Sequence, residues 1–331
     1  MLPDMTFNLN ESKVPLYDLG VVDKSLEGVL SVGYDEDELK KYMSDLYLDE
    51  ETVNNQSYDL VQMYKHVFSR GLQYTIPTKF ETALEIGAGY GSATYAMAEL
   101  YPDMKIVASD LSVNMLRRHK KEGISYPSSI NQIVRCQINA DEETFKDNSF
   151  DLVFGSAILH HVFDPLSVIR DAGRVLKKYG VAIFAEPFEA GHALMRIAYE
   201  MVLMLNRDYG LELTSSQKGY MQHTVCYWDT MIKGASRTTE ELHNLDDKWL
   251  FPYSFFDEAS KLAGFKTIYK IPISPIFEDN NMVADKLKVH ASGNNIQLPP
   301  VAMDIASIID NCFSTQQKQQ LFPEGILVMQ K

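Results

Sequence analysis

The sequence has few cysteines, and their spacing excludes two classes of small stabilised domain. Only three are present, Cys136, Cys226 and Cys312, and no two of them form a C-x-x-C pair. A disulfide framework and a zinc site of paired cysteines are therefore not expected, and a reducing compartment fits best.

Positive charge is also scarce. Lysine and arginine number 31 against 45 aspartates and glutamates, which gives a formal net charge of −14 at pH 7. Because proteins that bind nucleic acid neutralise phosphates with a basic surface, no nucleic-acid partner is expected. A local basic cluster on one predicted helix is interpreted as a solvated face; it comprises Arg117, Arg118, Lys120 and Lys121.

Long apolar runs and targeting signals are not predicted. The first residues, MLPDMTFNLNESKV, show no basic region followed by an apolar one. The most apolar stretch, 193–205, is interrupted by Arg196 and Glu200 and is too short to cross a bilayer. We therefore expect a cytoplasmic protein without a membrane span.

Near residue 81 the spacing of the apolar residues changes from a helical pattern to alternating strands and helices. Residues 1–35 are polar and punctuated by glycine, which predicts an irregular or partly ordered arm. Apolar residues at helical spacing over 36–80 predict an N-terminal helical lid. From 81 to 186 strands alternate with helices, which predicts a mostly parallel sheet covered on both faces. The strands are expected at 82–86, 105–109, 131–138, 150–154 and 181–185, and the helices at 92–100, 112–122 and 165–176.

Beyond residue 186 the alternation stops. Residues 187–253 begin with an apolar, Met-rich helix and continue with aromatic and polar segments, and we interpret them as a helical cap over the acceptor site. Ser254 and Asp257 have the spacing of a capping box that opens a helix, which Gly264 closes. Over 254–331, two last strands at 265–271 and 326–329 complete the core sheet around a helical excursion. The predicted fold is thus a doubly wound, Rossmann-like α/β domain with seven strands.

A glycine-rich turn follows the first predicted strand. Residues 84–91 read L-E-I-G-A-G-Y-G, and alternating glycines let the backbone turn tightly and approach a ligand. A nicotinamide fingerprint needs G-x-G-x-x-G, but Ser92 holds the third glycine position, so nicotinamide is disfavoured. Asp110 ends the next strand, where a carboxylate can accept hydrogen bonds from two ribose hydroxyls.

Four segments in order resemble the motif series of the class I S-adenosylmethionine-dependent methyltransferases: E-I-G-A-G-Y-G at 85–91, S-D-L-S at 109–112, D-N-S-F-D-L-V-F-G-S-A-I-L-H-H-V at 147–162 and R-V-L-K-K-Y-G-V-A-I-F-A-E-P at 174–187. The resemblance covers residues 80–190 and implies S-adenosyl-L-methionine as the cofactor. It implies a pocket for the methionine part shaped by Glu85, Gly87, Gly89 and Gly91.

The same resemblance assigns residues that would contact the rest of the cofactor. Asp110 would hold the ribose hydroxyls, Leu111 would pack on the adenine, and Ser156 would lie beside the sulfonium. The adenine amino group would meet the segment Asn139, Ala140 and Asp141. Asn139 stands where the family usually has aspartate, which leaves Asp141 as the alternative partner.

The transfer chemistry requires an aligned nucleophile and, for an alcohol or an acidic carbon, a base. His160 and His161 follow the fourth predicted strand, and histidine titrates near neutral pH. We expect His160, ahead of His161, to act as the base and Glu186 at the end of the fifth strand to orient it. A purely structural role for both histidines is the alternative. Adjacent side chains rarely ligate one metal, so no metal site is expected.

The resulting prediction is methyl transfer to a small or medium organic acceptor, first of all on oxygen. A carbon acceptor flanked by carbonyls is the near alternative, and an acceptor tethered to a carrier protein is compatible with the pattern. From a different class, a non-catalytic S-adenosylmethionine-binding subunit is the rival. The tract Asp246-Asp247-Lys248-Trp249 receives no role, and no oligomeric state is predicted.

Overall fold

The computed structural model describes residues 29–31, 34, 36–40, 42–43, 45–55, 60–76, 79–126, 132–142, 145–232, 237–243, 245–273 and 281–331. The chain divides into two compact units. Unit 1 comprises Met1–Phe184, Glu258–Tyr269 and Leu327–Lys331, and unit 2 comprises Ala185–Asp257 and Lys270–Ile326. Among the described residues, no helix combines the length and the apolarity needed to cross a membrane. Most of the predicted arm, 1–28, lies outside the described residues.

The strands form one eight-stranded sheet. They are β1 (Val29–Ser31), β2 (Thr82–Ile86), β3 (Lys105–Asp110), β4 (Ile133–Gln137), β5 (Phe150–Ser156), β6 (Leu176–Pro187), β7 (Thr267–Pro272) and β8 (Glu324–Gln330). Their order is β1-β4-β3-β2-β5-β6-β8-β7, and the pairs β1/β4, β4/β3, β3/β2 and β2/β5 are parallel. The predicted doubly wound α/β fold is confirmed.

The sheet has eight strands instead of the predicted seven, because β1 lies within the segment predicted as an irregular or partly ordered arm. Val29–Ser31 pairs with Arg135–Gln137 at the edge of the sheet. Three residues are too few to show a period of two, and the pairing is made by backbone groups that the sequence does not reveal.

The centre of the sheet contains the point where the strand order reverses. At the carboxyl end of β2, Ile86 pairs with Ser109 of β3 on one side and with Gly155 of β5 on the other. All five residues of β2 are buried, as expected for a parallel strand covered on both faces. The loops that follow β2, β3 and β5 therefore meet at one edge, where open α/β sheets bind ligands.

The helices before and within the alternating region belong to unit 1. They are α1 (Glu36–Leu39), α2 (Asp45–Leu48), α3 (Glu50–Asn55), α4 (Val61–Leu72), α5 (Ser92–Leu100), α6 (Val113–Glu122) and α7 (Pro165–Val175). Ser112 caps α6 as predicted, because its hydroxyl accepts a hydrogen bond from the Met115 amide at 3.2 Å. The predicted N-terminal helical layer is present, but α1 to α3 are short and interrupted.

The remaining helices are α8 (Glu189–Asp208), α9 (Ser215–Ile232), α10 (Thr239–His243), α11 (Tyr253–Leu262), α12 (Met282–Gly293), α13 (Pro300–Asn311) and α14 (Thr315–Lys318). The predicted capping box at the start of α11 is wrong. The helix begins at Tyr253, one residue before Ser254, and the Asp257 carboxylate binds the Lys270 ammonium group. Gly264 follows the helix with φ +81°, as a terminating glycine should.

Candidate active site

The glycine-rich loop after β2 has three glycines in left-handed conformations. Gly87, Gly89 and Gly91 have φ of +70°, +52° and +100°. A Cβ atom at Gly87 would lie 2.6 Å from Ile158, and one at Gly91 would lie 2.6 Å from Tyr95. A Cβ at Gly89 would meet no described atom within 4 Å. Gly87 and Gly91 thus allow close packing within the protein, whereas Gly89 borders open space that a ligand can fill.

Asp110 connects this loop to the end of β3. Its Oδ2 accepts a hydrogen bond from the Gly89 amide and its Oδ1 accepts one from the Ser112 amide, each at 2.8 Å. Burial raises the pKa of Asp110, and these backbone hydrogen bonds oppose the rise. Each oxygen keeps a lone pair for a further donor, so the carboxylate is held ready for a pair of hydroxyl groups. Leu111 beside it is half-buried, and its carbonyl oxygen accepts from the side-chain Nε2 of Gln137 at 3.0 Å.

Glu85 lies beneath the loop and is fully buried. The Thr94 hydroxyl donates to its Oε2, while its Oε1 is buried without a hydrogen-bond partner among the described residues. Burial raises the pKa of Glu85 to about 8; the Thr94 hydrogen bond lowers it, and the charge of Asp110 raises it. Because an unpaired buried acceptor is costly, these surroundings favour the protonated form of the Glu85 carboxyl group.

Thr94 belongs to a buried network of hydrogen bonds that was not predicted from the sequence. The Thr94 hydroxyl lies 2.7 Å from Nε2 of His119, and Arg135 Nε donates to Nδ1 of His119 at 3.0 Å. The Tyr95 hydroxyl donates to the His119 carbonyl oxygen at 2.5 Å. Burial and the nearby Arg135 charge lower the pKa of His119 well below its ordinary value, so its imidazole is neutral. The available signal was Arg135 itself, a charged residue within an otherwise mostly apolar strand.

The prediction of a solvated basic face on α6 is wrong for Arg118. Its side chain is buried, and its guanidinium lies 4.7 Å from the centroid of the Tyr90 ring. It also donates to the Val53 carbonyl oxygen. Lys120 and Lys121 are exposed, as predicted.

The segment predicted to meet the adenine is ordered by its own side chains. The Asn139 amide N–H donates to the Tyr34 hydroxyl oxygen at 3.1 Å, and the Asn139 Oδ1 accepts from the Asp141 amide at 3.1 Å. The Tyr34 hydroxyl donates to Glu142 Oε2 at 3.0 Å. Asn139 therefore shapes the loop, and sequence reasoning missed Tyr34. The adenine contacts of Asn139, Ala140 and Asp141 stay predictions.

The loop after β5 contains the candidate base. Ser156 ends the strand and Ala157 has φ +52°, an uncommon value for a residue other than glycine. The His160 and His161 rings lie 4.2 Å apart, with His160 the more buried. The Tyr47 ring meets the His161 ring edge-on at 6.2 Å. Both histidines thus follow the strand that pairs with β2, as predicted.

Glu186 lies near the end of β6 and is buried. It belongs to unit 2, whereas the histidines belong to unit 1. Its pairing with a histidine stays a prediction, as does the expectation that no metal binds here.

Comparisons with known proteins identify the central region. Residues 84–184 match a family model described as a methyltransferase domain. The ubiquinone/menaquinone biosynthesis C-methyltransferase UbiE of Shewanella frigidimarina is 30% identical over 123 residues, which cover 36% of this chain and 47% of that protein. Phosphoethanolamine N-methyltransferase 1 of Arabidopsis thaliana is 23% identical over 171 residues, which cover 51% of this chain and 31% of that protein. The chain thus spans less than half the length of each of these relatives.

A solved structure shares the fold. It comes from a complex between the Haloferax volcanii Trm112 methyltransferase activator and a methyltransferase. The TM-score is 0.50 at 13% identity, and the match covers 90% of this chain and 98% of that chain.

The geometry of unit 1 suits S-adenosylmethionine. The Asp110 carboxylate can still accept from a pair of hydroxyl groups, and Gly89 borders open space, which fits the nucleoside part of this cofactor. The motif series, the family match and this geometry agree, and residues 84–184 form a class I S-adenosylmethionine-dependent methyltransferase domain.

Proposed function

We propose that the protein transfers a methyl group from S-adenosylmethionine to a small or medium organic acceptor whose oxygen nucleophile is deprotonated by a histidine. The observation that carries this proposal is the arrangement at the sheet edge. Open space borders Gly89 in the loop after β2, the Asp110 carboxylate ends β3, and two histidines follow β5, the other neighbour of β2. When bound, S-adenosylmethionine supplies a methyl group activated by a positively charged sulfur.

The protein binds the cofactor, orients the acceptor and deprotonates the acceptor hydroxyl. Asp110 holds the ribose, and the loop at Gly89 leaves room for the backbone to approach the ligand. A neutral imidazole of His160 removes the proton from the acceptor hydroxyl as the oxygen electron pair bonds to the methyl carbon. Tyr47 restricts the neighbouring His161 ring by its edge-on contact, and Glu186 is proposed to orient the base.

A carbon acceptor is the second candidate. It is supported by relatives whose names state C-methylation, including UbiE. The same histidine would then remove a proton from an acidic position so that the electron pair of carbon makes the bond. Enclosure of the acceptor by 187–253, tethering to a carrier and a cytoplasmic location stay predictions.

The first experiment is calorimetric titration with S-adenosylmethionine and S-adenosylhomocysteine. We expect micromolar binding that Asp110→Ala weakens by about 100-fold or more, because two charge-assisted hydrogen bonds of about 1.5–3 kcal/mol each are lost. Asp103→Ala, which removes an exposed carboxylate, is the matched control. Failure of the wild-type protein to bind either ligand contradicts the proposal.

Turnover separates an enzyme from a binding subunit. A screen of phenols, hydroxy acids and hydroquinones is followed by NMR assignment of the methylated atom. His160→Ala should lower kcat by about 10²–10⁴-fold and leave the Kd for S-adenosylhomocysteine unchanged. An unchanged kcat would remove His160 from the mechanism, and methylation at carbon would favour the second candidate.

A further inference from the structure

The edge strand β1 is connected by side chains to a loop at the ligand-binding edge of the sheet. Val29–Ser31 pairs with β4 in parallel. The buried Ser31 hydroxyl donates to Oε1 of Gln137 at 2.6 Å, and Nε2 of Gln137 donates to the Leu111 carbonyl oxygen at 3.0 Å. Gln137 thus ties β1 to the loop after β3, which begins at Leu111.

Three residues after β1, the Tyr34 hydroxyl contacts the loop after β4. The backbone N–H of Asn139 can only donate, so the Tyr34 oxygen accepts from it at 3.1 Å. The single hydroxyl hydrogen of Tyr34 is donated to Oε2 of Glu142 at 3.0 Å. Tyr34 therefore binds both ends of the turn 139–142, which the Glu142 amide closes by donating to the Asn139 carbonyl oxygen at 3.1 Å.

The side chain of Asn139 is engaged within this turn. Its Oδ1 accepts from the Asp141 amide at 3.1 Å, and its Nδ2 donates to Oε1 of Glu142 at 3.4 Å. Asn139 is buried, so its polar groups hold the internal shape of the turn. The two hydrogen bonds of Tyr34 come from a different part of the chain, and they fix where that shape lies relative to the sheet.

We propose that Tyr34 is a positioning residue that sets the preference of the cofactor pocket for an amino-purine over an oxo-purine. The turn 139–142 contains the segment that the motif series assigns to the adenine amino group. An amino group donates a hydrogen bond where an oxo group accepts one, so an acceptor on the turn separates the two bases only if it is held within about 0.5 Å of its place. This inference rests on the proposed function, because it concerns the base of the same cofactor.

Calorimetric titration with two ligands measures this preference. S-Inosylhomocysteine carries an oxo group in place of the amino group of S-adenosylhomocysteine, and we expect the wild-type protein to bind the adenine ligand about tenfold more tightly. Tyr34→Phe keeps the ring and removes the hydroxyl. The buried Asn139 N–H then loses its acceptor, whereas the exposed Glu142 carboxylate stays solvated. The Kd for S-adenosylhomocysteine should rise by about fivefold and that for S-inosylhomocysteine should not change, so the preference falls to about twofold.

Two further variants separate positioning from general loosening. Tyr179→Phe, at an exposed tyrosine of the same unit, should leave both Kd values unchanged. Ser31→Ala removes the donor to Gln137 and should weaken both ligands alike, by about threefold, because Leu111 would pack on either purine. Amide hydrogen exchange at Asn139 should speed up by about tenfold in Tyr34→Phe and stay unchanged in Ser31→Ala.

The outcomes distinguish this inference from the proposed function. Unchanged binding of S-adenosylhomocysteine by Tyr34→Phe, or equal weakening of both ligands, overturns the role of Tyr34 and leaves the proposed function standing. The role is also overturned if the wild-type protein has no preference between the ligands, or if Ser31→Ala narrows the preference as much as Tyr34→Phe does. If the wild-type protein binds neither ligand, the proposed function itself fails.

Discussion

The three glycines of the loop after β2 share left-handed backbones but have different surroundings. At Gly91 the space beside the Cα atom is filled by Tyr95 and His119, and at Gly87 by Ile158. At Gly89 it is open. A methyl group therefore costs packing energy at two of these positions, and at the third it occupies space that we assign to the cofactor.

Alanine substitutions should separate these effects. Gly89→Ala should cost about 1–2 kcal/mol of unfolding free energy for its left-handed backbone and weaken S-adenosylhomocysteine binding by about tenfold or more. Gly91→Ala should cost about 1–3 kcal/mol beyond that, because its Cβ meets the Tyr95 ring. Denaturant unfolding and calorimetry measure the two quantities.

Gly264→Ala is the matched control. It has φ +81° and open surroundings in the same unit, outside the glycine loop. It should lose similar stability to Gly89→Ala and bind the ligand normally. If Gly89→Ala binds like the wild type, the space beside Gly89 does not belong to the cofactor.

At the scale of single residues, the glycine turn and the carboxylate at the end of β3 could be recognised in the sequence, whereas the side chains that surround Glu85 could not. Glycine spacing and a carboxylate at the end of β3 are local features, and the structure joins them through the Gly89 amide and Asp110. The support of Glu85 involves His119 and Arg135, which are far apart in sequence. Whether His119 faces the core depends on how α6 packs against the sheet, and no short sequence motif predicts that packing.

Three side chains at the start of and along α6 hold the short N-terminal helices. Ser112 and Asn114 donate to the carbonyl oxygens of Tyr47 and Leu48, each at 2.6 Å. Arg118 donates to the Val53 carbonyl oxygen. Helices as short as α2 and α3 cannot satisfy their own carbonyl groups, so they depend on these donors for order.

Removing a donor should loosen this segment locally. Asn114→Ala should speed amide hydrogen exchange over 45–55 by about fivefold, and Arg118→Ala by about tenfold or more, since charged donors contribute about 1.5–3 kcal/mol. Exchange in β2 should not change. Lys121→Ala, at an exposed position of α6, is the control. Unchanged exchange over 45–55 in both variants would mean that other contacts hold these helices.

Helices and strands with strong local sequence patterns were predicted with the correct bounds, and those with weak patterns were not. The bounds of β2 and α5 agree with the prediction, because an apolar run, a glycine turn and a small-residue helix follow one another directly. β1 and the breaks between α1, α2 and α3 were missed. These short elements exist through partners elsewhere in the chain, and periodicity carries no information about such partners.

At the scale of the whole molecule, each unit contains titratable groups whose shifted pKa values make its stability depend on pH. In unit 2, the His192 and His290 rings each lie 5.3 Å from Trp228. Burial lowers the pKa of His192 to about 4, with Glu324 opposing and with His290 and Lys286 adding to the decrease; burial likewise lowers the pKa of His290. In unit 1, burial raises the pKa of Glu85.

The signs of these shifts give opposite pH dependences. An unfolded histidine binds a proton near pH 6.5, and folded His192 does so only near pH 4, so unit 2 loses stability as the pH falls through this window. The loss from His192 is about 3 kcal/mol. Folded Glu85 keeps its proton up to about pH 8, so its contribution to unit 1 is fully present below pH 4.5 and is lost as the pH rises to about 8.

Tryptophan fluorescence isolates the response of unit 2, because both tryptophans, Trp228 and Trp249, belong to it. The denaturant midpoint measured by this signal should fall between pH 7 and pH 5. His192→Gln, whose side-chain amide can still donate to the Phe188 carbonyl oxygen that His192 contacts at 2.9 Å, should reduce the fall. His243→Gln, at an exposed position, should leave it unchanged. A midpoint that does not move on acidification, or that moves equally in His192→Gln, would show that His192 does not govern the acid stability of unit 2.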